Sequence, residues 1–180
     1  LHAYNELESL LGERREFALV NLIGSNSDPI RLAASARQLL GLNPTELIRD
    51  VCGLLEDRGV KVLLLRRATD AFFGLSVAAE GEGPAIVVNT WDRISVERWI
   101  FTAAHELGHL LLHHSAYDVK RTEENDAEEA EANQFASAFL MPPAAFEKAW
   151  ERASGLGFVD RVFKVKRIFR RIGEELSKDE

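Results

Sequence analysis

Cysteine is nearly absent. Among 180 residues only Cys52 carries a thiol, so no disulfide can close within the chain and no cluster of cysteines can hold a metal. That usage fits a reducing, cytoplasmic setting, with Cys52 itself read as a small packed hydrophobe. Long apolar runs are missing as well. The longest, such as residues 62–65 and 110–112, fall far short of the roughly 20 residues that a bilayer-spanning helix requires, and no signal peptide is visible. Positive charge is not in excess either: 22 Lys and Arg stand against 29 Asp and Glu, a formal balance of −7, which argues against a chain built to wrap nucleic acid. No internal repeat and no low-complexity tract is present.

What remains is ordinary globular material. A hydrophobic share of 46% and a charged share of 28% suffice to bury a core, and the length suits one domain with at most a small appendage. The chain opens on Leu1 rather than Met, which leaves room for a partner domain upstream.

Hydrophobic spacing divides the chain into three parts. Residues 1–28 read as a helical lead and a linker, ending in a Gly, Ser, Asn and Asp cluster before Pro29. Residues 29–143 form the main domain. Two helices are expected over 30–40 and 44–57, the first stopped by Gly41 and the second opened by Pro44 and Thr45 and stopped by Gly59. Strands are expected over 60–65, 72–78 and 85–89, with Gly81-Glu82-Gly83-Pro84 as a hairpin turn between the last two. Ser95 can cap a helix from 96 to about 114, and Asn125 or Asp126 can cap another that Pro142-Pro143 ends near Met141. Residues 144–180 add two helices, 144–153 and 158–176. The fold class is α+β: a small antiparallel or mixed three-stranded sheet flanked by helices.

The 96–114 helix carries His105-Glu106-Leu107-Gly108-His109. Residues four apart on a helix lie one above the other, so both imidazoles can reach a single tetrahedral Zn²⁺. Glu106 points about 100° away, close enough to touch a water at the site without being a ligand, which is the place of a general base. Ala103, Ala104, Leu107, Leu110, Leu111 and Leu112 make the same helix strongly apolar, and polar groups embedded in such a surface need partners that a metal can supply. His113 continues the series, but eight residues from His105 is about 12 Å of rise, too far for one ion to join all three. His113 and His114 are therefore expected behind the ligands or at the surface.

A catalytic zinc site wants a third protein ligand. The acidic run Glu123, Glu124, Asp126, Glu128, Glu129 and Glu131 is mostly a solvated first turn favoured by the helix dipole. Glu129, however, shares the stripe of Ala132, Asn133, Ala136 and Leu140 that faces inward, and it is the leading candidate. Glu128 is the alternative, although it can instead answer Asn125 in a capping box.

The residues from Arg98 to His113, the run from Glu129 to Ala136, Leu140-Met141-Pro142, and upstream Gly74-Leu75-Ser76 and Ile86-Val87-Val88-Asn89 together resemble the ImmA/IrrE family of zinc metallopeptidases, over roughly residues 29–143. The resemblance implies a zincin-like fold with His105, His109 and Glu129 as zinc ligands and Glu106 as catalytic base. It further implies site-specific cleavage of a helix-turn-helix repressor, the partner and substrate, switching on a stress response or a mobile element. The helix-turn-helix domain that family members often carry is not recognisable here. A metzincin-type extension is absent, since Leu112 and Ser115 stand where its glycine and third histidine would be.

Four further expectations follow from the residues. An extended substrate would pair with the edge of the 72–78 strand. Tyr117, His114 and Arg98 are unranked candidates for a donor to the oxyanion, and Arg98, two turns before His105, is read first as a structural salt-bridge partner. The basic tail, with Arg161, Lys164, Lys166, Arg167, Arg170 and Arg171 among apolar residues, reads as an amphipathic helix that packs, or that docks on a repressor or DNA. A non-proteolytic regulator or metal sensor that keeps the fold and acts by binding a repressor is the competing reading, against which an intact Glu106 argues.

Overall fold

The computed structural model describes residues 1–25, 28–79, 82–113 and 125–153, together with Gly155 and Asp160. Along the chain run α1 (His2–Leu11), α2 (Pro29–Leu39), α3 (Val51–Glu56), β1 (Lys61–Leu65), β2 (Gly74–Ala79), β3 (Gly83–Asn89), α4 (Val96–Leu112), α5 (Asp126–Leu140) and α6 (Pro143–Arg152). The class is α+β, as expected. The sheet is mixed, in the order β1-β3-β2, with β1 parallel and β2 antiparallel to the central β3. β2 is thus an edge strand, and its register sets Leu75 opposite Val87 and Ser76 opposite Ile86.

α4 is the axis of the core because it is apolar nearly all round. It packs on β2 and β3 on one side and on α5 on the other. Ala103, Ala104, Leu107, Leu110 and Leu111 are completely buried, against Ile86 and Val88 from β3 and Phe135 and Phe139 from α5. Each such large side chain withdrawn from water contributes about 1.5–3 kcal/mol. Gly108 lets the two helices close up: a Cβ there would lie 3.1 Å from Phe135 Cδ1 and 3.2 Å from Ala132 Cα. The segment read as a lead and linker supplies Leu19, fully buried, and the Gly24 N–H donates to the Leu111 carbonyl.

Local capping explains the helix starts. The Ser95 hydroxyl accepts from the Arg98 N–H, the Asn125 side-chain carbonyl accepts from the Ala127 N–H, and Asp28 caps α2 through the N–H groups of Ile30 and Arg31. Pro142 and Pro143 close α5 and open α6.

Two expectations are corrected. The helix over 44–57 is only Val51–Glu56. Arg37, 3% exposed in α2, donates to the carbonyls of Asn43 and Glu46, the second of which a continuous helix would give to the Asp50 N–H. Asp50 caps the short helix instead, accepting from the Gly53 N–H at 2.8 Å. Gly83 and Pro84 belong to β3 rather than to a turn, Pro84 lying before the residues of β3 that pair with β1 and so needing no ladder donor. Of the expected helix over 158–176, all but Asp160 lies outside the described residues.

Candidate metal centre

Two helices build the site. His105 and His109, one turn apart on α4, face Glu129 in the first turn of α5. His105 Nε2 lies 3.2 Å from Glu129 Oε2, His109 Nε2 lies 3.1 Å from Glu129 Oε1, and the two Nε2 atoms are 3.0 Å apart. Three donors at the corners of a tetrahedral zinc site, with bonds near 2.05 Å, stand about 3.3 Å from one another. The two imidazole nitrogens and the two Glu129 oxygens, one facing each ring, therefore already stand at nearly the spacing one such ion fills, and the donor set, two imidazoles and a carboxylate, fits zinc.

Electrostatics favours the same state. Burial pushes the His109 imidazole down to about 4, helped by the neighbouring His105 and His113 and opposed by Glu128. Burial also lowers His105, against the opposing charge of Glu129 and a hydrogen bond to Asn133. Both rings are thus held neutral, the form in which an imidazole has a lone pair to give a metal.

The outer nitrogens are engaged too. His105 Nδ1 is 3.1 Å from Asn133 Oδ1, and His109 Nδ1 is 3.0 Å from His113 Nδ1.

Glu106 faces the sheet instead of α5. It is 8% exposed, and burial raises its carboxyl from 4.5 to about 7, with hydrogen bonds from the Ser76 side chain and backbone working against that and the charge of Glu129 working with it. β2 can come so near only because residue 74 lacks a side chain: a Cβ on Gly74 would lie 2.9 Å from Glu106 Oε1. A cavity of about 520 Å³ opens over His105, Glu106, His109 and Glu129, walled by β2 residues 74–76 and by Phe72, Phe73 and Phe101.

Residues 55–169 match the peptidase family M78, described as an IrrE N-terminal-like domain. The chain belongs to this family of ImmA/IrrE metallopeptidases. The match takes in the sheet, both site helices and α6, so the convergence just described lies within the family's own domain. No curated protein matches the chain.

In this M78 peptidase the remaining candidates separate. Glu129 rather than Glu128 reaches the two histidines, while Glu128 Oε1 accepts from Asn125 Nδ2 at 3.3 Å, close to the capping role expected for it. Arg98 forms no salt bridge among the described residues. Its guanidinium lies 4.1 Å over the Phe73 ring, on the cavity wall. Among the described residues that stacking, on the aromatic entry to β2, stands where an ion pair was expected. His113 is buried at 7% exposure behind His109. His114, Tyr117 and the basic tail from Arg161 to Arg171 lie outside the described residues.

Three site residues have no role in the sequence reading: Ser76, Asn133 and Glu131. Ser76 follows Gly74 by two, the strand period that sets both on one face. Asn133 follows Glu129 by four, one helical turn. Glu131, whose Oε2 is 3.0 Å from His113 Nε2, gives no such signal.

Proposed function

We propose that this chain is a zinc-dependent endopeptidase that cuts a helix-turn-helix transcriptional repressor at one place and thereby releases a stress response or a mobile element. Membership of M78 gives the metallopeptidase class. The observation that carries the reading further is the position of Glu106: a buried carboxyl beside the His105, His109 and Glu129 triangle and next to the edge strand β2. A site for a structural ion has no use for such a group.

His105, His109 and Glu129 would hold the metal. Bound there, zinc supplies a Lewis acid for the scissile carbonyl and acidifies a water. The chain's own residues do the rest. β2 offers an extended substrate the main-chain groups of its outer edge, which no strand pairs among the described residues. Glu106, with an affinity for protons near neutrality, accepts a proton from the attacking water and returns it to the leaving amine. Arg98, held over Phe73, brings a positive charge to the cavity wall.

A site that reads its substrate as an added strand takes only an extended segment. The cut in a repressor should therefore fall in a connector between its folded elements rather than in a helix. Repressors work in the cytoplasm, and no described helix is long and apolar enough to cross a membrane. The ImmA/IrrE resemblance favours a repressor over a general protein substrate.

Incubating the zinc-loaded chain with the repressor it binds, and weighing the products by mass spectrometry, tests the proposal. The expected result is two fragments from a single cut, and a Glu106→Gln variant that binds zinc and repressor but cuts at least about 10²-fold more slowly. A wild type that binds the repressor and never cuts it overturns the peptidase reading in favour of a regulator acting by binding alone.

A further inference from the structure

We infer that Glu131 and His113 form a two-step relay that fixes the tautomer of His109 and so holds its Nε2 lone pair toward the metal. The inference rests on the functional reading above, in which His109 is a metal ligand.

His113 follows the last residue of α4. Its N–H donates to the His109 carbonyl at 3.0 Å and its side chain is buried. Both ring nitrogens are engaged, Nδ1 at 3.0 Å from His109 Nδ1 and Nε2 at 3.0 Å from Glu131 Oε2.

With the His109 Nε2 committed to the metal, proton bookkeeping then leaves one arrangement. A neutral imidazole has one N–H and one lone pair, and a carboxylate can only accept. Glu131 therefore draws the N–H of His113 to Nε2, which leaves His113 Nδ1 as an acceptor. The nitrogen facing it, His109 Nδ1, must donate. His109 then carries its proton on Nδ1 and its lone pair on Nε2, the atom that lies 3.1 Å from Glu129 Oε1 and 3.0 Å from His105 Nε2. Moving the proton of His113 to Nδ1 would leave Glu131 opposite a lone pair and would force the His109 proton onto Nε2, toward Glu129, where it would block the metal.

His105 reaches the same state by one step instead of two, its Nδ1 lying 3.1 Å from the Asn133 side-chain oxygen. Asn133, Glu131 and Glu129 all belong to α5. One helix thus supplies a ligand and also orients both of the others, and packing α5 on α4 sets the complete site in a single step. Partners that orient ligating histidines are commonly worth 10–100-fold in metal affinity.

Zinc affinity, read by competition with a chromophoric chelator, and the ring ¹⁵N shifts of His113, read by NMR, test the relay. His113→Leu is expected to weaken zinc by roughly 10–100-fold, and His113→Gln, whose amide oxygen can accept from His109, to restore most of the loss. Glu131 is half-exposed, so Glu131→Ala leaves the core intact, and it is expected to cost about tenfold and to mix the tautomers of His113. In the zinc-loaded wild type His113 should carry its proton on Nε2.

A zinc-loaded wild type whose His113 is protonated on Nδ1, or zinc binding as tight in His113→Leu as in wild type, overturns the relay alone. If His113→Leu does not fold, Glu131→Ala and the ring shifts of the wild type decide. A wild type that binds no zinc overturns the functional reading and, with it, the service the relay performs.

Discussion

Gly74 and Glu106 are fitted to each other across the interface of β2 and α4. A Cβ at position 74 would stand 2.9 Å from Glu106 Oε1 and 2.3 Å from Thr102 Cγ2, distances that no packed structure tolerates without movement. The missing side chain is what lets the strand that would receive a substrate run directly beside the proposed base.

Gly74→Ala should therefore lower stability by about 1–3 kcal/mol, the usual cost of an extra carbon forced into a packed region. It should also depress peptidase activity by displacing Glu106. Removing the obstructing methyl with Thr102→Ser in the same chain should recover most of the stability and only part of the activity, because the contact with Glu106 remains. Urea denaturation and a cleavage assay on the single and double variants check this, and a double variant no more stable than Gly74→Ala contradicts it.

Gly108 performs a similar service between α4 and α5. A Cβ there meets Phe135 Cδ1 at 3.1 Å and the backbone of Ala132 at 3.2 and 3.3 Å. Alanine gains about 1 kcal/mol over glycine within a helix, yet backbone cannot rotate aside as a side chain can. Gly108→Ala should thus be net destabilising and should part α5 from α4 enough to weaken metal binding. A raised melting temperature with zinc affinity intact would count against the account.

Asn89 is the tie that holds the entry to the site. Completely buried at the end of β3, its amide N–H₂ lies 2.9 Å from the Arg67 carbonyl, 3.2 Å from that of Thr69 and 2.9 Å from that of Phe72, while its oxygen accepts from the N–H groups of Arg67 and Trp91. Its own backbone N–H donates to the Phe73 carbonyl at 2.8 Å. Asn89→Ala leaves several of these groups without a partner and should cost about 2–4 kcal/mol, and Asn89→Asp, which turns a carboxylate on three carbonyls, at least as much. Equilibrium denaturation measures both, and a loss under about 1 kcal/mol would show that the loop is held by something else.

The carboxyl of Glu106 makes stability depend on pH. Its value in the folded, metal-free protein is about 7 against an ordinary 4.5, so the neutral acid is the favoured form in the fold. As pH rises from about 4.5 to about 7 the group must ionise in a buried place, stability falls, and the loss is complete above that window. Glu106→Gln is neutral throughout. Freed of metal by a chelator, it should match wild type near pH 4 and exceed it near pH 8 by something on the order of 1–3 kcal/mol. His109, with its depressed value, gives the opposite slope in both proteins and cancels from the difference. A gap of equal size at both pH values contradicts the assignment.

Much of this architecture is legible in the chain because local signals and tertiary demands agree. Ser95 and Asn125 read as caps and act as caps. The inward stripe that contains Glu129 and Asn133 is visible from helical spacing alone, and both residues meet His105 in the structure. Where a distant group intervenes, the reading stops. Nothing near Pro44 reveals that Arg37 takes the carbonyls of Asn43 and Glu46 out of helical service, while also donating to the Phe139 carbonyl far along the chain. Glu131 is hidden for a related reason. Two residues from Glu129, it lies about 200° round the helix, so spacing places it away from the site, and only its long side chain and the position of His113 past the end of α4 bring the two together.

The central claim is that His105, His109 and Glu129 bind one metal ion while Glu106 stands apart from it. Native mass spectrometry of the zinc-loaded chain, with equilibrium dialysis for affinity, tests this most directly. The account predicts one zinc per chain in the wild type and in Glu106→Gln, and little or none held in His105→Ala, His109→Ala or Glu129→Ala. One zinc bound with undiminished affinity in those three variants, or lost in Glu106→Gln, would contradict it.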